Sequence, residues 1–417
     1  MEGFVSTSHA ITPRVPLVAR CAFAVAVLLL LGGCGSPTRP RAAVRTGQVT
    51  VPRSVPASEV LALEMFTSHR GVSVAGPLTV APCLGRNLPR ALCPRTPGPD
   101  YLATTLDGGR SWHVTGVLPS TLDPLVPFEL HMAFATPAVG YILSTGAEPK
   151  PQVELTEDGG RTWSPVHVPG QAVALSLSAT TLWVVSDICP AASTPTALCA
   201  SELSVVRFGA RAPNAIRPIP TLGNLAEPGV MPTTRAASLL ARIGPGTAVA
   251  EEGGEGEPSS MLLTSDTGVH WRQIPDPCGR TTPSSMAALT PTHWVLDCEL
   301  GGGMNQGDVA IYVSTDGGAR WTRTAAANED SPTLGAVSDR MSYDLTTSGD
   351  GGVLWLPGDV VGVATSTDGG VDWQSALIDA GGGRASMAVA GATEAWLPVP
   401  GEGLYHTVNG TTWTKLP

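Results

Sequence analysis

From about residue 58 to the end of the chain, apolar residues come in short runs of four to eight, broken by polar stretches rich in glycine and proline. Leu182-Trp-Val-Val185, Trp294-Val-Leu296, Ala310-Ile-Tyr-Val313, Leu354-Trp-Leu-Pro357 and Ala395-Trp-Leu-Pro398 are examples. No stretch in this region holds a 3.6-residue periodicity, so the pattern predicts many short strands and little helix. Several runs lead into the same spacing, Ser/Thr-x-Asp-x-Gly-x-x-Trp. It reads TLDGGRSW at 105–112, TEDGGRTW at 156–163, TSDTGVHW at 264–271, STDGGARW at 314–321 and STDGGVDW at 366–373. A shorter TVNGTTW closes the series at 407–413. A spacing that returns this often marks an internal repeat.

Each copy follows a β-prone run and precedes a polar stretch, which places it in the turn between two antiparallel strands. Turn chemistry accounts for its letters. An aspartate side chain accepts hydrogen bonds from backbone N–H groups just after it, closing an Asx-type turn without help from elsewhere. The glycines take left-handed backbone angles that cost other residues about 1 kcal/mol or more. The marker residues are Asp107, Asp158, Asp266, Asp316, Asp368 and Asn409, each followed by its tryptophan: Trp112, Trp163, Trp271, Trp321, Trp373 and Trp413. The pattern resembles the Asp-box, or BNR, repeat of sialidase-like β-propellers. In that family the box joins the third and outermost strands of a blade, far from the ligand face, so the resemblance implies a structural role for these carboxylates.

The markers at 107, 158, 266, 316, 368 and 409 are 51, 108, 50, 52 and 41 residues apart. The step of 108 is two ordinary steps. An unmarked turn is therefore expected near residue 212, between Glu202-Leu-Ser-Val-Val-Arg-Phe208 and Ala215-Ile-Arg-Pro-Ile219. Seven units of this size predict an all-β, seven-bladed propeller of four-stranded antiparallel blades. The blades are expected to start near residues 58, 128, 171, 235, 284, 334 and 384. Six of the ten tryptophans sit in the boxes, and Trp183, Trp294, Trp355 and Trp396 each occupy an apolar run upstream of a third strand. All ten are explained by repeat position, which leaves none to spare for a ligand-stacking platform other than a strand-two tryptophan near the axis. The order of elements across about 58–417 also resembles the photosystem II stability and assembly factor type of propeller, which implies a non-catalytic binding role.

The chain opens differently. Arg14 and Arg20 precede an apolar run from Cys21 to Leu31, too short to span a bilayer and of signal-peptide length. It ends in Leu31-Gly-Gly-Cys34, which resembles a bacterial lipobox. That resemblance implies removal of residues 1–33, diacylglyceryl modification of Cys34, and attachment to the extracytoplasmic side of a bacterial cell membrane. Residues 34–57 read as a Pro-rich tether, with Gln48-Val-Thr-Val51 a candidate strand closing the ring on the last blade. Loss of the leader takes the formal net charge from -10 to -11. An acidic chain with no polybasic segment argues against nucleic acid as a partner.

Six further cysteines fall into close pairs, and an exported chain with an even count predicts disulfides: Cys83 with Cys93, Cys189 with Cys199, and Cys278 with Cys298. None has the CxxC spacing of a zinc site. The first two pairs lie in loops between second and third strands, on the face opposite the box turns. Those loops are long in several blades, and Arg86, Arg90, Glu251, Glu255 and Asn305 on them are the candidate binding-face residues.

Reaction chemistry has weaker signals. A sialidase needs an arginine triad, a tyrosine nucleophile with a glutamate partner, and an acidic aspartate, but Arg217-Pro-Ile-Pro220 is out of place for that family's early Arg-Ile-Pro signature. The acidic run from Glu251 to Glu257 lacks the alternation of a calcium loop, the histidines have no ligand spacing, and Gly301-Gly-Gly303 lacks the lysine of a phosphate loop. No metal and no cofactor is expected. The reading is a monomeric, membrane-anchored, extracytoplasmic propeller that binds an envelope protein or glycan. A sialidase-like glycoside hydrolase and a purely structural surface lipoprotein are the alternatives.

Overall fold

The computed structural model describes residues 51–76, 98–122, 130–144, 152–178, 181–188, 200–220, 236–253, 260–279, 282–299, 309–327, 345–348, 351–358, 362–378, 387–399 and 402–417. They form seven antiparallel sheets that follow one another along the chain. The innermost strands of blades one to seven are Val60–Met65, Leu130–Thr136, Gln171–Leu177, Ala236–Arg242, Thr282–Ala288, Thr346–Thr347 and Ala388–Val389. Each sheet then runs outward in chain order through its second, third and fourth strands. The described residues contain only short 3₁₀ turns besides, at Ala57–Glu59 and Ser120–Leu122.

The ring explains why the apolar runs are continuous rather than alternating. Second and third strands have a neighbouring blade on each face, so both sets of side chains are buried. Leu354–Pro357 and Ala395–Val399 are buried at every position, and Val309–Ser314 at all but Tyr312. Outermost strands meet solvent and show it: Thr414–Lys415 is exposed throughout, and Arg272–Ile274 buries only Ile274.

Seven hydrophobic clusters fill the seven junctions, each joining a blade to the next. The cluster between blades seven and one packs Ala388, Trp396, Leu404 and Leu416 against Leu63, Tyr101, Ala103 and Trp112, which closes the ring. The Trp396 indole N–H donates to the Gly108 carbonyl of blade one at 2.8 Å across the same junction.

The candidate closing strand at 48–51 falls almost wholly outside the described residues. The last blade takes all four described strands from the C-terminal stretch, ending in Thr414–Lys415. The described N-terminal strand, Ser54–Val55, pairs with the outer strand of blade one, Trp112–Val117. Residues 48–50 lie outside the described residues, and Val51 is exposed and not in a strand. Val55 and Ala57 gain burial in the cluster between blades seven and one.

Candidate functional site

The marked turns share one hydrogen-bond scheme. In blade one the Thr105 hydroxyl donates to Asp107 Oδ1 at 2.8 Å and accepts the Gly109 N–H at 2.9 Å. Asp107 then accepts the Ser111 N–H on Oδ1 at 3.0 Å and the Ser111 hydroxyl on Oδ2 at 2.6 Å. The scheme recurs around Asp158, Asp266, Asp316 and Asp368, and in shortened form around Asn409. Amide donors favour the ionised carboxylate. The His270 N–H, then its ring, hold Asp266 down at about 2, and Asp158 and Asp316 are lowered chiefly by the N–H groups of Thr162 and Arg320.

The second glycine of the box has a further reason to be there. At Gly160 (φ +84°) an added Cβ would come within 2.8 Å of Leu102 in blade one, and at Gly370 (φ +93°) within 3.1 Å of Val295 in blade five. Each turn is thus pressed against the preceding blade. Box and strand-two tryptophans serve the same junctions: Trp163 and Trp321 donate across to the carbonyls of Val117 and Pro275, at 3.0 Å each. Trp183, Trp294, Trp355 and Trp396 are fully buried. Blade three, which lacks the motif, turns at Gly209 (φ +78°), with the Asn214 side chain accepting the Arg207 N–H at 2.8 Å.

Of the tyrosines, a residue type that sialidase chemistry needs, Tyr101, Tyr141, Tyr312 and Tyr405 lie in strands, Tyr312 half-buried, and Tyr343 lies outside the described residues. Tyr141 is buried and its hydroxyl accepts the Gly209 N–H at 2.8 Å. Tyr101 and Tyr405 are also buried. Arg217 lies on an outermost strand, Ala215–Ile219, where its guanidinium donates to the Asp266 and Thr267 carbonyls of the next blade. Among the described residues, no group of three or more His, Cys, Asp and Glu side chains is placed to hold a metal ion.

Cys278 and Cys298 are joined, tying the segment after blade four to the second strand of blade five. Cys34, Cys83, Cys93, Cys189, Cys199, Arg86, Arg90, Glu255 and Asn305 lie outside the described residues. Glu251 corrects the sequence expectation of a loop residue on the binding face. It is buried in the second strand of blade four, Ala248–Gly253, opposite Ser238 on one side and Met261 on the other. The strand runs on through the first acidic positions because both neighbours still offer ladder partners there.

Chemistry-bearing groups converge at the inner edge instead. The strands Val60–Met65, Leu130–Thr136 and Gln171–Leu177 each form the axial edge of their sheet. Their C-terminal halves line a cavity of about 450 Å³ with Glu64, Met132, Phe134, Leu175, Ser176 and Leu177 among its walls. These ends lie on the side of the box turns, since Gly108 and Gly159 of two boxes donate to the carbonyls of His69 and Ala138 in the first hairpin turns of the same blades. Glu64 reaches from blade one to blade two, where Oε2 accepts the Phe134 N–H at 2.9 Å. Phe134 pairs with Gly140 on its other side, and the absent side chain of Gly140 leaves the space its ring fills.

Burial pushes the Glu64 carboxyl up to about 7, against the Phe134 amide, which pulls it down. Among the described residues no charged neighbour enters that balance. Glu64 is the only titratable group among the described residues lining the cavity, and neither arginine nor tyrosine is among those walls. The sequence did carry a signal for it: Glu64 is the lone charge in the apolar run Val60-Leu-Ala-Leu-Glu-Met-Phe66.

No known family profile matches the sequence, and no curated protein matches it. Solved structures do. YCF48 bound to a D1 peptide superposes with a TM-score of 0.50 at 14% identity, covering 86% of this chain and 95% of that one. YCF48 from Cyanidioschyzon merolae gives 0.50 at 11% identity, covering 87% and 98%. The chain is a seven-bladed propeller similar to YCF48. A GH74 xyloglucanase from Xanthomonas campestris aligns at 12% identity over 86% of this chain and 73% of that one, with a TM-score of 0.34. At such identities the likeness is one of fold, and function falls to the chemistry of the site.

Proposed function

We propose that the protein is a non-catalytic, lipid-anchored, extracytoplasmic propeller that binds a polypeptide segment of an envelope partner at its axial cavity. The observation that carries this reading is the cavity itself. It is bounded by the edge strands of three blades, presents polar and apolar surface side by side, and holds one carboxyl already engaged with a backbone amide. Edge strands offer unpaired backbone groups to an extended chain, and apolar walls take its side chains. That a YCF48 propeller binds a D1 peptide supports a polypeptide as the ligand class. The recurring aspartates are occupied in turns on the outer part of each blade, which favours binding over turnover. Leu31-Gly-Gly-Cys34 supports the lipid anchor and the tether that follows it.

The test uses the full chain in its own membrane. A photocrosslinker replacing Ala135, which is exposed and lines the cavity, is expected to capture one envelope polypeptide. The same group at Ile216, exposed on an outermost strand, is expected to capture none specifically. Equal labelling from both positions would sink the reading, and so would steady release of product from fluorogenic sialosides or related glycosides. Metabolic labelling with a fatty acid, lost in Cys34→Ala, checks the anchor.

A further inference from the structure

We infer that the axial cavity between blades one, two and three takes a cationic side chain, lysine or arginine, from its polypeptide partner, with Glu64 as the counter-ion. The inference rests on the polypeptide-binding reading and names the chemistry of the residue that enters.

Three features of the cavity select that class. First, among the described residues its one ionisable wall is a carboxyl, and with one described amide donor that carboxylate has acceptor positions to spare. Second, the remaining walls are backbone edge, serine and the apolar side chains of Met132, Leu175 and Leu177. Lysine and arginine carry an apolar stem beneath the charged head, so the stem matches those walls while the head reaches Glu64. Third, the carboxyl is half-buried and, among the described residues, has no compensating charge, so ionising it is costly in the free protein. An entering cation removes that cost, whereas a neutral residue leaves it and an acidic one adds repulsion. The free edges of the three innermost strands favour a chain-borne cation over a small amine, because backbone groups of a peptide find partners there. The overall charge of -10 draws basic segments in the same sense.

The experiment measures binding of short Ala/Gly peptides that differ only at one central residue, lysine, norleucine or glutamate, to the full chain in detergent by calorimetry. The lysine peptide is expected to bind at least about tenfold more tightly than the norleucine peptide, and the glutamate peptide more weakly than either. Glu64→Gln should abolish the lysine preference while leaving the thermal transition unchanged or raised, which excludes unfolding as the cause. Ala135→Arg, placing a competing cation at the cavity wall, should also weaken the lysine peptide. Equal affinity for lysine and norleucine, no binding of any peptide, or a preference that survives Glu64→Gln would each overturn the inference. Capture of a partner from position 135 without a lysine preference would defeat this inference alone, while loss of both would defeat the polypeptide reading with it.

Discussion

Two sets of carboxylates in this molecule accept backbone N–H groups, and they are shifted in opposite directions. Asp266 sits in solvent at a turn, takes the His270 N–H at 2.9 Å and its ring nitrogen at 2.6 Å, and is held at about 2. Glu64 sits at the inner edge, takes only the Phe134 N–H at 2.9 Å, and is pushed up to about 7. The bonds are of similar length, so the amide donor alone does not decide the outcome. What differs is the rest of the shell: several donors and open solvent at the turn, one described donor and partial withdrawal from water at the axis. A carboxylate used as a fastener is best kept charged and wet, and one used to receive a cation is best kept poorly satisfied until the cation arrives.

The largest expected effect tests whether the turns are also joints between blades. Gly160→Val combines a left-handed backbone position with a side chain driven into Leu102, and should cost about 3 kcal/mol or more in urea denaturation. A loss under about 1 kcal/mol would mean the turn is free of its neighbour.

Next comes Glu64→Gln, which acts on the other member of the comparison. Between the ordinary 4.5 and the folded value of about 7, the folded chain keeps a proton that the unfolded chain has released. Stability therefore falls as pH rises through that window, and the cost is complete above it. The amide can still accept the Phe134 N–H, so the variant should be about 2–3 kcal/mol more stable than the parent near pH 8 and equal to it near pH 4. Parallel stability curves for the two proteins would show that the carboxyl titrates in the ordinary range.

Asp107→Ala removes bonds to Thr105 and Ser111, and a loss of about 1–2 kcal/mol is expected after allowing for contact with water. Asp107→Asn, which keeps an acceptor, should recover part of it. The pH sign is opposite to that of Glu64. The lowered turn aspartates contribute fully above the ordinary aspartate range, and the contribution disappears as pH falls through their folded values, about 2 for Asp266. Smallest of all is Glu157→Gln, which removes an exposed pair with Arg211 at 3.8 Å and should change stability by less than about 0.5 kcal/mol in low salt and not at all in high salt.

The sequence by itself determined the wheel. Thr105-Leu-Asp107-Gly-Gly109 and its copies make their bonds within five or six residues, so the turn is legible wherever the letters stand. Counting turns counts blades, and the gap at blade three was readable because the strands on either side of Gly209 kept their spacing. Tryptophan in an apolar run reads as core for the same reason, since burial of Trp183, Trp294, Trp355 and Trp396 follows from membership of a strand with sheets on both faces.

What only the tertiary structure decided are properties that depend on residues far apart. Glu64 and Phe134 are 70 residues apart, and no local pattern says that one will accept the other's amide. Glu251 was misplaced because a strand ends where its neighbours stop offering partners, and the end of Ala248–Gly253 is set by Ala236–Arg242 and Ser260–Thr264. The closing of the ring by Trp396 on Gly108, 288 residues away, is of the same kind. Short-range hydrogen bonds are written in consecutive letters, whereas the dielectric around a carboxyl is made by whichever blades the ring brings together.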